Sequence, residues 1–125
     1  MRTTQDTNFY NNIVYPVLNY KSICEDYDKR INKIARKSFG KKFNNDLETM
    51  HNLYLEKAKF LYNIAQIKQN LTKLNKYDLQ LIYKHYFKNK TIEQLAKEYN
   101  TSERTLFRHL AEARNKYYRI KEKLC

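Results

Sequence analysis

Residues 91–117 read TIEQLAKEYNTSERTLFRHLAEARNKY. Thr91 followed by Gln94 is a capping box, so a helix opens at Ile92. Ile92, Leu95, Ala96 and Tyr99 share one face of that helix, which spans about 92–99. Asn100 and Thr101 make a tight turn, and asparagine tolerates the left-handed conformation such a turn needs. Ser102 caps the next helix, with Glu103 in its first turn. Leu106, Leu110, Ala113, Tyr117 and Ile120 form the buried stripe of that helix, which reaches about residue 122. Two helices this close must cross steeply to share a core. Ala96 is small enough to let them approach.

The other side of the second helix carries Ser102, Glu103, Arg104, Thr105, Phe107, Arg108, Ala111 and Glu112. Arg104 and Arg108 are four apart and point one way. A helix presented N-terminus first fits a DNA major groove, where its early residues reach base edges. Arg104 and Arg108 suit guanine edges or nearby phosphates. Glu103 has two readings, acceptor from a cytosine amino group or partner of the helix dipole. Phe107 also has two: contact with a thymine methyl, or burial against Tyr83 or Tyr86. Lys90, Lys97 and Lys116, with Lys88, Arg114, Arg119, Lys121 and Lys123, surround this unit; some of them are expected to reach phosphates, and each singly has the second reading of an ordinary solvated charge. His109 is read as packing at the edge of the core.

Immediately upstream, Asn75 and Asp78 read as a cap and its acidic N3 residue. Leu79, Ile82, Tyr83, Tyr86 and Phe87 are the apolar face of a helix over about 76–87, and Lys88–Lys90 turn the chain. From Pro16, residues Val17, Tyr20, Cys24, Tyr27, Ile31, Ile34 and Ser38 recur at helical spacing, with Gly40 as a C-terminal stop. A second stripe from Met50 to Leu74 gives a helix over about 45–73, some 40 Å long at about 1.5 Å per residue. A helix of that length needs a partner along it. Residues 16–39 supply part of one by folding back, and a second copy of the chain is a candidate for the rest. Lys29, Arg30, Lys33, Arg36, Lys37, Lys41 and Lys42 form a basic run with no acid between 29 and 42, which has two readings: a second DNA-contacting surface, or a surface for an acidic protein such as a polymerase. The expected organisation is all-α: a flexible arm over 1–15, a helical hairpin over 16–74 for dimerisation or partner binding, and a helix-turn-helix unit over 75–125.

The segment from Asn75 to Lys123 resembles the helix-turn-helix of sigma-70 region 4, and YDLQLIYKHYFKNKTIEQLAKEYNTSERTLFRHLAEARNKYY, residues 77–118, carries nearly all of the pattern. Thr91, Ile92, Glu93, Ala96, Ser102, Glu103, Thr105, Leu106, Leu110 and Ala113 fall on that family's characteristic positions. The resemblance implies that Glu103, Arg104, Phe107 and Arg108 face the groove of a promoter element. It has two departures: Asn100 stands where glycine is common, and Thr101 where Ile or Val is usual. Nothing upstream looks like sigma region 2. A basic helical hairpin followed by such a unit is similar to phage late-gene regulators of the RinA/ArpU type. That similarity implies a phage- or mobile-element-encoded regulator acting in the bacterial cytoplasm.

Composition agrees with few, long helices. The chain has 125 residues with one glycine and one proline, which argues against sandwiches, barrels and Gly-rich phosphate loops. With 25 Lys+Arg against 13 Asp+Glu, the net charge of +12 favours an anionic partner. Two cysteines, Cys24 and Cys125, form no CxxC pair and read as free thiols. His51, His85 and His109 lie far apart without acids beside them, so no metal, cofactor or catalytic group is expected, nor an enzyme. No signal peptide or membrane span is expected. The expected function is sequence-specific binding of double-stranded DNA as a transcriptional regulator. Two alternatives are a module that engages RNA polymerase or a phage partner, and a ring-forming, small terminase-like DNA-recognition subunit.

Overall fold

The computed structural model describes residues 3–37 and 43–123. Ser38, Gly40, Lys41, Lys42 and Cys125 lie outside them. All regular structure among the described residues is helical. Helix α1 (Thr4–Phe9) runs through a π-helical turn (Tyr10–Val14) into α2 (Tyr15–Leu18). Then come α3 (Tyr20–Lys37), α4 (Phe43–Thr72) and α5 (Lys76–Ile82), the last continued by a second π-helical segment (Tyr83–Phe87). Helices α6 (Ile92–Glu98) and α7 (Glu103–Lys123) complete the order.

The chain forms two compact units. One combines the described residues up to Leu18 with those from Ile67 onward, and the other covers 19–66. The expected boundaries at 15/16 and 74/75 therefore shift, because the start of the chain and the last turns of α4 join the C-terminal helices.

The first unit is built around α7, which packs against both α5 and α6. Its stripe of Leu106, Leu110, Ala113 and Tyr117 is buried as expected, and Ile120 packs at the margin. Leu81, Ile82, Tyr86, Leu95 and Ala96 close on it from the preceding helices.

Residues 1–15 are not a loose arm over their described part. Thr3 Oγ1 accepts from the Asp6 backbone N–H at 3.0 Å and caps α1. Phe9, Ile13 and Val14 are fully or almost fully buried in the core of this unit. Phe9 meets Tyr86, Tyr117 and Tyr118, with ring centroids 4.9, 5.7 and 6.0 Å away. Only three strongly apolar residues carry this packing, and they sit among Gln, Asn and Thr, so no long stripe announces them. The π-helical turn lies just ahead of Pro16, whose ring crowds the carbonyl four residues back in a regular helix. It also meets the second π-helical segment.

Polar contacts lock the same segment. Asp6, 8% exposed, accepts from Arg114 Nη1 at 3.2 Å and from the Tyr86 hydroxyl. Arg114 Nη1 also donates to the Tyr86 oxygen at 2.9 Å. Burial, and then the bond to Asp6, raise the Tyr86 phenol above its usual range. Burial pushes Tyr117 up to about 12, with the Asn70 side chain opposing the rise.

In the second unit Ile31, Leu53 and Ile64 are buried. Lys57 Nζ meets Asp28 Oδ1 at 2.7 Å and links α4 to α3. The helix expected without interruption from Pro16 is broken at Asn19, between α2 and α3. Helix α4 matches the expected 45–73, but Leu61 of its stripe is 41% exposed.

Two outcomes check this packing. Phe9→Ala should destabilise the protein by about 3–5 kcal/mol in urea unfolding, whereas truncation on a loose arm stays within about 0.5 kcal/mol. A tyrosine whose folded-state pKa is raised contributes stability that is intact below its unfolded value near 10 and lost as pH rises through its folded value. Stability should thus fall between pH 10 and about 12 by up to about 1.4 kcal/mol per pH unit for Tyr117 alone. Tyr117→Phe should flatten that decline, as measured by thermal unfolding across the range.

Candidate nucleic-acid interface

Each helix that frames the candidate face is stopped or started by a local polar device. Asn75 Oδ1 accepts from the Asp78 N–H at 2.8 Å at the start of α5. At the start of α6, Thr91 Oγ1 accepts from the Gln94 N–H at 3.1 Å, and Gln94 Oε1 accepts from the Thr91 N–H at 2.9 Å. The end of α6 is a Schellman turn. Thr101 N–H reaches the Ala96 carbonyl at 2.9 Å and Asn100 N–H the Lys97 carbonyl at 3.2 Å. Asn100 holds φ 53°, the left-handed value expected for it. Ser102 Oγ then accepts from the Thr105 N–H at 3.1 Å and starts α7.

Buried Leu95, Ala96, Leu106 and Leu110 hold the two helices together. The opposite side of α7 is open: Ser102, Glu103, Arg104, Phe107, Arg108 and Glu112 are exposed, and Thr105 and Ala111 are half-buried. Phe107 is 40% exposed, so of its two readings burial against Tyr83 or Tyr86 is not the one adopted. It borders an open groove of about 650 Å³ with Thr91, Ile92, Glu93, Glu103 and Arg104. Arg108 Nε lies 3.9 Å from Glu112 Oε1, a weak exposed pair that a ligand can displace. Arg104 has no ion pair among the described residues.

The surrounding cations are less free than the sequence suggested. Arg114 is 4% exposed and bound to Asp6 and Tyr86, so it is withdrawn from the set able to reach phosphate. Lys116 Nζ meets the buried Asp78 at 2.9 Å. Lys90 lies 3.2 Å from Glu98, and Lys97 lies 3.6 Å from Glu93. Glu98 also takes Lys84 at 2.8 Å. Lys84 and Lys90 together hold the Glu98 carboxyl below its usual range, and Glu98 in turn raises Lys84. Lys88 lies over the Tyr83 ring at 5.5 Å.

His109 sits at the margin of the core, with Nδ1 2.8 Å from the Tyr77 hydroxyl. His85 Nδ1 lies 2.8 Å from the Lys90 carbonyl oxygen, so that nitrogen carries the proton. Among the described residues no group of three or more His, Cys, Asp or Glu side chains is arranged to hold a metal. No described helix is long and apolar enough to cross a membrane.

Sequence reasoning missed the roles of Asp6, Tyr86 and Tyr77 around this face. A signal for Asp6 existed, because Thr3 followed by Asp6 is a helix-opening pattern. Comparison with family models, curated proteins and solved structures finds no match to this chain.

The turn is the most testable part. Asn100→Gly should leave stability unchanged or slightly raised, while Asn100→Val should cost about 1–2 kcal/mol for forcing a branched residue to positive φ. Chemical denaturation of the two variants distinguishes this from a turn without conformational demand, in which both behave alike.

Proposed function

We propose that this chain is a sequence-specific double-stranded DNA-binding regulator, with α7 as the reading helix of a sigma region 4-like helix-turn-helix. The observation that carries the reading is the open N-terminal half of α7. Its exposed Arg104 and Arg108 follow a short turn that a Schellman motif and a Ser102 cap hold in place. Arginine forks suit guanine edges, and Glu103 suits a cytosine amino group. Ser102, Thr105 and Lys97 flank the helix start and serve as phosphate contacts. Lys90 and Lys116 serve the same end when their carboxylate partners release them. Glu112 tunes Arg108.

Two features extend the reading. Phe107, exposed beside Ile92 in the groove, suits a protein partner such as RNA polymerase as well as a thymine methyl. Leu47, Tyr54 and Leu61 of α4 are exposed and seven residues apart, the spacing of a coiled-coil seam, which favours pairing with a second copy.

Selection of bound sites from random duplexes tests the main claim. The wild type should enrich a defined sequence, and Arg104→Ala or Arg108→Ala should each lose about 1–3 kcal/mol of base discrimination. Equal losses on every sequence would remove base reading from α7. If Phe107→Ala instead abolishes binding to purified RNA polymerase and leaves the selected sequence untouched, the groove belongs to a protein partner.

A further inference from the structure

Helix α3 carries a cationic face that takes no part in base reading by α7. Lys29, Lys33, Arg36 and Lys37 fall on one side of the helix together with Asn32, and these five residues line one shallow recess. All five are exposed. None of the four cations has an ion pair among the described residues. That sets them apart from Lys84, Lys90, Lys97, Arg108, Arg114 and Lys116 of the other unit, every one of which faces a carboxylate. The nearest carboxylate along α3, Asp28, is itself taken by Lys57 at 2.7 Å.

From this arrangement we infer that the Lys29–Lys37 face of α3 is a binding surface for the phosphodiester backbone of nucleic acid, independent of base sequence. Lys29, Lys33 and Lys37 follow one another at four-residue steps, about 6 Å along the axis at about 1.5 Å per residue. A row of cations at that pitch matches a row of phosphates better than it matches a single anion.

The helix dipole, a membrane surface and a protein interface each fit this face less well. Cations in the last helical turn complement the dipole, which accounts for Arg36 and Lys37 but not for Lys29 and Lys33, which lie one to two turns earlier. A membrane-surface helix inserts an apolar face, yet the apolar side of α3 is occupied, with Ile31 3% exposed and Ile34 half-buried. A protein interface is anchored by desolvated aromatic or aliphatic groups and is poor in lysine. This face offers lysine, arginine and asparagine alone.

The surface stands on α3 by itself and does not depend on base reading by α7. Its test uses the full chain with Lys29, Lys33, Arg36 and Lys37 all changed to Ala. A charge-matched control carries Lys21→Ala, Lys59→Ala, Lys68→Ala and Lys73→Ala. Alanine favours helix, and circular dichroism confirms that both variants fold. Binding to a random-sequence duplex and to its separated strands is measured from 50 to 200 mM salt.

In the α3 variant the slope of log K against log salt should become shallower by about 3–4 on duplex, or by about 3 on single strands, as expected for four lost phosphate contacts. The arm that shows the loss identifies the strandedness of the ligand. The control should change by less than about 1. Preference for a selected sequence over a random one should persist in the α3 variant. If the wild type selects no sequence while the slope loss holds, base reading by α7 fails and the α3 surface stands. Equal slope changes in variant and control would overturn the inference. So would unchanged DNA binding with lost binding to anionic vesicles or to polyglutamate.

Discussion

A carboxylate and a guanidinium buried together hold the first unit closed. Asp6 comes from the first described helix and Arg114 from the last, and Tyr86 supplies the hydroxyl that both use. Removing two charges from water is costly, and one left without its partner costs about 3–5 kcal/mol. The contact is therefore a weak source of net stability and a strong constraint on arrangement. Arg114 reaches Asp6 only with α7 in one rotation about its axis. That rotation buries Leu110 and Ala113 on one side and leaves Arg104 and Arg108 on the other. Asp6 and Arg114 line the same groove as Glu103, Arg104 and Phe107, so the buried pair sits at the base of the open face and fixes its orientation.

Much of this was legible because it is local. Thr91 and Gln94, Ser102 and Thr105, and Asn75 and Asp78 are cap pairs within one turn of each other, and each is found as its spacing predicts. Asn100 announces its own left-handed backbone. The apolar stripe of α7 is long enough for periodicity to reveal it. What was not legible depends on distance. Nothing near Arg114 in sequence separates it from Lys116 or Arg119 as a surface cation. Its burial is decided by a carboxylate 108 residues away. Phe9, Ile13 and Val14 make too short a pattern to read alone, and Pro16 with its widened turn interrupts the helical period beside them. Lysines that look equally free along the chain differ once the fold brings carboxylates to some of them.

The two units differ in how they treat positive charge. In the first, Lys84, Lys90, Lys97 and Lys116 are neutralised locally by Glu93, Glu98 and Asp78. Such neutralisation lowers the local positive field and leaves Arg104 of α7 as an exposed cation without an ion pair among the described residues. In the second, the Lys29–Lys37 face of α3 keeps its cations unpaired. On the proposed reading, a division of this kind would separate attraction from discrimination, since a field that pulls on any phosphate adds nothing to the difference between two sequences.

The 108-residue separation of Asp6 and Arg114 also orders events during synthesis. A ribosome delivers Phe9, Ile13 and Val14 well before the α7 helix that covers them. At roughly 5–20 residues per second, that apolar trio waits on the order of 5–20 s for its cover. Until then the nascent chain shows a short greasy segment, the kind of surface that chaperones hold and that neighbouring nascent chains can stick to. The longer α7 takes to emerge, the longer that surface stays uncovered.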